Sequence, residues 1–172
     1  RHYYHKESGN YASGSQGANT FMLWLGIAPE PGRTVKALAE DIRKHDTHLT
    51  TGNICSRYIL EVLAEYGYED VAYELVSQTT YPSWGYMAKM GATTIWERWE
   101  FVESGPLLGM ASHDHPMYAT VSAWFYRYLL GIRVIAPGFT EYAVKPCVPE
   151  GLDWAQGNVE TVKGTMRVRW EK

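Results

Sequence analysis

Apolar positions fall in a helical rhythm along most of the chain and in an alternating one near its end. Ala18, Phe21, Met22 and Leu25 recur at i, i+3, i+4 and i+7, which predicts a helix from about Ser15, a good N-cap, to Ile27. Pro29-Glu30-Pro31-Gly32 breaks it. Val35, Leu38, Ala39 and Ile42 mark a second helix over about 34–44. A third, carrying Ile59, Val62, Leu63 and Tyr66 on one face, stops at Gly67. Val71, Ala72, Leu75 and Val76 are the inward face of a fourth over about 69–78. A short helical piece runs through Met90. A longer one spans about 117–130, with Val121, Trp124, Phe125 and Tyr128 inward and Gly131 at its end. Residues 1–14 read as an irregular lead-in. The stretch from Gly91 to Pro116 has no helical period, and long irregular segments in compact domains tend to carry function.

The texture changes after Pro137-Gly138. Tyr142 to Val148 reads as a strand, and Met166, Val168 and Trp170 alternate with Thr165, Arg167 and Arg169 as on a half-buried strand, with Lys163-Gly164 supplying a turn. The expectation is therefore a mainly α chain of about six helices, then three or four strands from near residue 139. Phe21 to Leu25 are apolar in succession, which suits a helix covered on more than one side. The long aromatic loops suggest walls around a cleft rather than a packed bundle core.

Composition narrows the function classes. The 172 residues carry a formal charge of −3 with no basic tract, so phosphate neutralisation, and with it nucleic-acid binding, is not expected. The longest nearly apolar run, 121–132, is interrupted by Arg127 and too short to span a bilayer, so no membrane role is expected. Cys55 and Cys147 form neither a zinc pattern nor a disulfide framework and leave the compartment open. The chain opens on Arg1-His2-Tyr3-Tyr4 without the pattern of a signal peptide, and a processed or partial chain is the expectation. Aromatic residues, at 14%, are the surplus.

Chemistry concentrates in the irregular middle. In Trp96-Glu97-Arg98-Trp99 a carboxylate lies between two indoles, an arrangement suited to sugars, because indole faces pack on the apolar side of a pyranose while a shielded carboxylate serves as acid or base. Two arrangements stay open from the residues alone: that one, and an ion pair of Glu97 with Arg98 or another arginine with the tryptophans as core, which is the commoner. Ser112-His113-Asp114-His115-Pro116 opens the last helix. There a cap and a hydrogen-bonded histidine compete with a metal pair, for which no third ligand at proper spacing is evident. Tyr11 to Asn19 and His48 to Gly52 read as helix starts or pocket rims, and Tyr81 to Met87 as an aromatic loop that either packs on helices or faces sugar. No P-loop, dinucleotide fingerprint, GxSxG or HExxH is present, and neither a cofactor nor a metal is expected.

Five motifs together resemble the bacterial α-L-rhamnosidases of glycoside hydrolase family 78: Ser15-Gln16 with Ala18-Asn19, Leu49-Thr50-Thr51-Gly52, Gln78 to Met87, Gly91 to Trp99, and Ser112 to Pro116 before Trp124-Phe125-Tyr126-Arg127. They stand in the family's order along nearly the whole chain. Pro137-Gly138-Phe139 and Lys145-Pro146 resemble the start of the β-sandwich that follows the family's catalytic domain. The resemblance implies the second half of an (α/α)6 barrel over 1–136 and part of an antiparallel β-sandwich over 137–172. It implies an inverting mechanism acting on terminal α-L-rhamnosyl residues, with Glu97 as general base, His115 against the bound sugar, and Trp84, Trp96 and Trp99 shaping the pocket. Asp114 stands where the family commonly has Asn. The family's Arg-Asp-Glu-type segment, which holds the general acid, does not occur here, and Glu100, Glu103 and Asp114 match no catalytic-acid motif. Expected partners are therefore a rhamnose-containing carbohydrate and the other half of the barrel, in the same or another chain. The isolated chain is expected to be inactive. The competing reading is a non-catalytic sugar-binding or partner-docking half-barrel.

Overall fold

The computed structural model describes residues 3–101 and 112–172, which divide after Thr120 into two compact units. The first is helical. It opens with a small antiparallel hairpin, β1 (Tyr4–His5) and β2 (Asn10–Tyr11), where an irregular lead-in was expected. Tyr4 and Tyr11 pair across it with ring centroids 5.2 Å apart, the kind of cross-strand aromatic contact that stabilises short hairpins. Four helices follow: α1 (Gln16–Trp24), α2 (Pro31–Lys44), α3 (Asn53–Glu65) and α4 (Glu69–Val76). α1 packs against α2 and α3, and α3 packs in turn against α4 and α6 (Pro116–Ala119). The short α5 (Trp84–Lys89) leads into the irregular site segment.

Most expected inward faces are inward. Val35, Leu38, Ala39 and Ile42 on α2, Ile59, Val62 and Leu63 on α3, and Val71, Ala72 and Leu75 on α4 are all buried. Gly67 lies just beyond α3, as expected. Pro31 and Gly32, read as breakers, form the first turn of α2, where a proline's missing N–H costs nothing.

α1 differs in two respects. It stops at Trp24 rather than Ile27, because Gly26 at φ +66° takes the left-handed position. The Gly26 amide donates to Leu23 O (3.0 Å) and the Ile27 amide to Met22 O (3.1 Å), a Schellman close. Its buried face is Gln16, Asn19, Thr20 and Leu23, while Trp24 and Leu25 face out. The expected face is thus displaced by two residues, for reasons that belong to the site.

The second unit, Val121–Lys172, begins with α7 (Val121–Trp124) and a π-helical turn (Phe125–Leu129). The wider winding rotates the inward face: Trp124 and Tyr128 are buried, but Phe125, expected inward, is exposed. Strand β3 (Ile132–Ala136) starts upstream of the change in sequence texture and pairs antiparallel with β4 (Glu141–Val144). A second antiparallel pair, β5 (Trp154–Thr161) and β6 (Gly164–Glu171), keeps Met166, Val168 and Trp170 half-buried and the intervening residues exposed. Trp170 Nε1 donates to Leu129 O (2.7 Å), tying β6 to the π turn. The described part of the chain is therefore helix-rich with small antiparallel sheets.

Candidate functional site

The site forms where two loop segments of the first unit zip together. The Glu97 amide donates to Ser112 O (2.9 Å), and the His115 amide donates to Ile95 O (2.9 Å). Thr94 Oγ1 also donates to His113 O. This frame turns the Glu97 side chain inward, where it is 8% exposed. Its Oε2 accepts the Ser112 amide (3.0 Å), and its Oε1 lies 4.0 Å from His115 Nε2. The pairing with Arg98 is not what forms: Arg98 turns out to the surface and pairs with Glu100 instead.

His115 caps α6. Its Nδ1 accepts the Met117 amide (3.4 Å), so the ring proton of the neutral imidazole sits on Nε2, the nitrogen that faces Glu97. The cap and the carboxylate contact thus belong to one residue. His113 lies elsewhere, its ring near Trp96 (5.7 Å) and Phe101 (5.2 Å). Among the described residues no cluster of three or more His, Cys, Asp or Glu is arranged to hold a metal ion, and no helix is long and apolar enough to cross a membrane.

Glu97 borders a groove of about 560 Å³ whose walls include Thr50, Asn53, Tyr81, Trp99 and Tyr118. The three tryptophans singled out from the sequence are buried and occupy different places. Trp99 lines the groove, lies 3.9 Å from Tyr118 between ring centroids, and donates through Nε1 to Thr51 O (2.9 Å). Trp84 stands behind it, edge-on at 5.1 Å, with its own Nε1 donating to Tyr118 O (2.9 Å). Trp96 packs away from the groove with Phe101 and His113. Neither Trp84 nor Trp96 nor His115 is among the groove's lining residues. Burial raises the Tyr118 phenol pKa, helped by the negative charge of Glu100 and by Tyr81, so Tyr118 stays protonated at neutral pH. Glu100 shares the groove, Asp114 is exposed, and Glu103 lies outside the described residues.

Several residues matter more than the motifs suggest. Gln16, wholly buried, donates to His48 O (3.1 Å) and accepts the Thr50 amide (2.9 Å), clamping the loop that forms one groove wall. Asn19 accepts the Tyr11 amide (2.9 Å) and donates to Asn10 Oδ1 (2.8 Å), fixing the hairpin. Ser15 is the N-cap, as expected, but the two side-chain amides that follow it, Gln16 and Asn19, organise loops. Asn53 Nδ2 reaches Glu97 O (3.5 Å) from the first turn of α3, and the only sequence signal for it was its place after Thr51-Gly52. In the aromatic loop Ser83 caps α5. Gly85 is required there by close approach, since a Cβ would meet Gln78 O at 2.3 Å.

Residues 1–129 match the family model for the bacterial alpha-L-rhamnosidase 6 hairpin glycosidase domain, and residues 131–172 that for the bacterial alpha-L-rhamnosidase C-terminal domain. An alpha-L-rhamnosidase from Alteromonas sp. (strain LOR) is 35% identical over 94% of this chain. The structure is similar to that of alpha-L-rhamnosidase from Dictyoglumus thermophilum (46% identity over 95% of this chain, TM-score 0.87). It is also similar to the Streptomyces avermitilis alpha-L-rhamnosidase complexed with L-rhamnose (30% identity over 98% of this chain, TM-score 0.89). The chain spans 18%, 19% and 17% of the length of these three relatives, respectively.

Proposed function

The chain belongs to the bacterial α-L-rhamnosidases, and from that premise we propose that it carries the general-base half of an inverting α-L-rhamnosidase site. In this reading residues 1–136 are the second half of an (α/α)6 barrel, and 137–172 begin the following β-sandwich. The observation that carries it is the setting of Glu97: a shielded carboxylate at a groove, with one oxygen held by the Ser112 amide and the other facing His115.

With Oε2 occupied, Oε1 is the oxygen left to receive a proton. Glu97 takes that proton from a water as the water attacks the anomeric carbon, while an acid on the opposite face protonates the departing glycosidic oxygen. His115, with its proton on Nε2, donates a hydrogen bond to a rhamnose hydroxyl near the same carboxylate. Trp99 offers an apolar wall to the sugar, Trp84 backs it, and Trp96 supports the far side of the Glu97 loop. The acid comes from the rest of the barrel, so the isolated 172-residue chain shows no rhamnoside hydrolysis.

One observation favours the non-catalytic sugar-binding reading: the second carboxylate in the groove, Glu100, is tied to Arg98. Glu97→Gln, made in an intact rhamnosidase bearing this segment and assayed with an aryl rhamnoside, separates the two. Loss of the base lowers kcat by about 10²–10⁴. Activity within a few-fold of the parent refutes the assignment.

A further inference from the structure

The groove beside Glu97 is walled by two segments far apart in sequence, 49–53 and 81–82. One histidine joins them. The His48 ring meets Asp46 O through Nδ1 (2.8 Å) and Thr80 Oγ1 through Nε2 (2.9 Å), and the His48 carbonyl accepts the Gln16 side-chain amide (3.1 Å). A carbonyl oxygen only accepts, so Nδ1 carries the proton of the neutral ring and Nε2 accepts the Thr80 hydroxyl. Leu49 follows His48 and Tyr81 follows Thr80, so this one hydrogen bond links the two walls at the residues where each begins. His48 itself does not line the groove.

The backbone leading to His48 is built to aim it. Asp46 (φ +54°) and Thr47 (φ +57°) both take the left-handed conformation, a rare one for a β-branched residue. Their amides donate back to Arg43 O (3.1 Å) and Ile42 O (3.0 Å) at the end of α2. Such a conformation persists only where the surrounding structure enforces it. The base stands on separate supports: Glu97 is held by the Ser112 amide and by the bond of the His115 amide to Ile95 O, and neither involves His48 or Thr80. We propose that His48 is a positioning residue which, through Thr80, sets Tyr81 and Pro82 at their distance from the 49–53 wall. It thereby governs how tightly the groove holds its substrate and leaves the base in place. The inference rests on the proposed sugar site and adds to it a residue that touches neither the sugar nor the attacking water.

The test compares His48→Ala, His48→Gln and Thr80→Val in an intact rhamnosidase bearing this segment, assayed with p-nitrophenyl α-L-rhamnoside. Loss of binding shared by ground state and transition state raises KM and spares kcat. His48→Ala raises KM by about three- to tenfold, the worth of one hydrogen bond, and lowers kcat by less than about twofold. Thr80→Val removes only the hydroxyl and raises KM equally. The double variant is no worse than either single one, because the two residues share one bond. His48→Gln, whose amide reaches as far as Nε2, returns KM close to that of the parent. An unchanged KM in Thr80→Val overturns the proposal, and does so even if His48→Ala fails to fold. A fall in kcat at constant KM, additive effects in the double variant, or no rescue by glutamine overturns it as well. Failure of the sugar-site reading looks different. A parent enzyme that binds L-rhamnose without hydrolysing the glycoside refutes the rhamnosidase reading, and the Kd for L-rhamnose by calorimetry then replaces KM in each comparison. A parent that neither hydrolyses nor binds overturns both.

Discussion

Helices α1 and α2 pack against each other yet bury largely different kinds of residue, Leu23 of α1 and Thr34 of α2 being the exceptions. α2 buries Val35, Leu38, Ala39 and Ile42, while α1 buries Gln16, Asn19 and Thr20 and turns Trp24 and Leu25 outward. The difference lies in what each face meets. α2 faces mostly regular elements, whose backbone is already hydrogen-bonded, so apolar fit does most of the work, with Thr34 Oγ1 in its first turn donating to Gly9 O (2.9 Å). α1 packs on α2 and α3 and in addition meets loops, whose amides and carbonyls must find partners once buried. Gln16 and Asn19 supply them, each acting as donor and acceptor at once. Stability thus resides on the α2 face and the geometry of the groove on the α1 face.

That division can be broken from either side. Leu38→Ala leaves a cavity at a wholly buried position and costs about 2–5 kcal/mol, measured by urea unfolding of the chain, without altering amide exchange in the groove wall relative to the rest of the core. A cost below about 1 kcal/mol contradicts the assignment of the core to this face. Gln16→Leu keeps the bulk and removes both loop bonds, costing about 1–3 kcal/mol. Its distinguishing sign is local: the Thr50 amide exchanges faster than its neighbours in Gln16→Leu and stays protected in Gln16→Glu, which retains the acceptor. Equal Thr50 protection in all three proteins refutes the clamp.

Cys55 sharpens the comparison at smaller amplitude. It lies on α3 close to α1, and burial pushes its thiol pKa up to about 11. A raised folded pKa means that the folded chain holds its proton where the unfolded chain has lost it. This contribution to stability is therefore complete below about pH 9 and disappears as pH rises toward 11. Unfolding titrations should show this decline, and Cys55→Ala should remove it; an unchanged profile in Cys55→Ala contradicts the assignment. Iodoacetamide at pH 8 should leave Cys55 unmodified in the folded chain.

The same contrast explains what the sequence made visible. α2, α3 and α4, and strand β6 with its turn at Lys163-Gly164, were legible because their packing obeys a simple periodicity. α1 was legible as a helix but not in its orientation, since a buried polar face looks like a solvent face until the loops it serves are known. Its early stop at Gly26 was hidden by the apolar run around it. The π turn at Phe125–Leu129 moved Phe125 outward with no local signal. At the site, Trp96-Glu97-Arg98-Trp99 drew attention by composition. The residues alone left an Arg98 pair open, because spacing cannot show that Ser112, fifteen positions on, supplies the amide that holds Glu97. The motif resemblance implied separate roles for Glu97 and His115, and their side chains lie 4.0 Å apart.

In the proposed mechanism Glu97 takes a proton from the attacking water. In an intact rhamnosidase bearing this segment, Glu97→Ala should be nearly inactive with water as nucleophile. Azide, which needs no base, should restore turnover of an aryl α-L-rhamnoside and give β-L-rhamnosyl azide, the inverted product, by proton NMR. Residual hydrolysis near the parent rate, or an azide product of retained α configuration, would contradict the role assigned to this carboxylate.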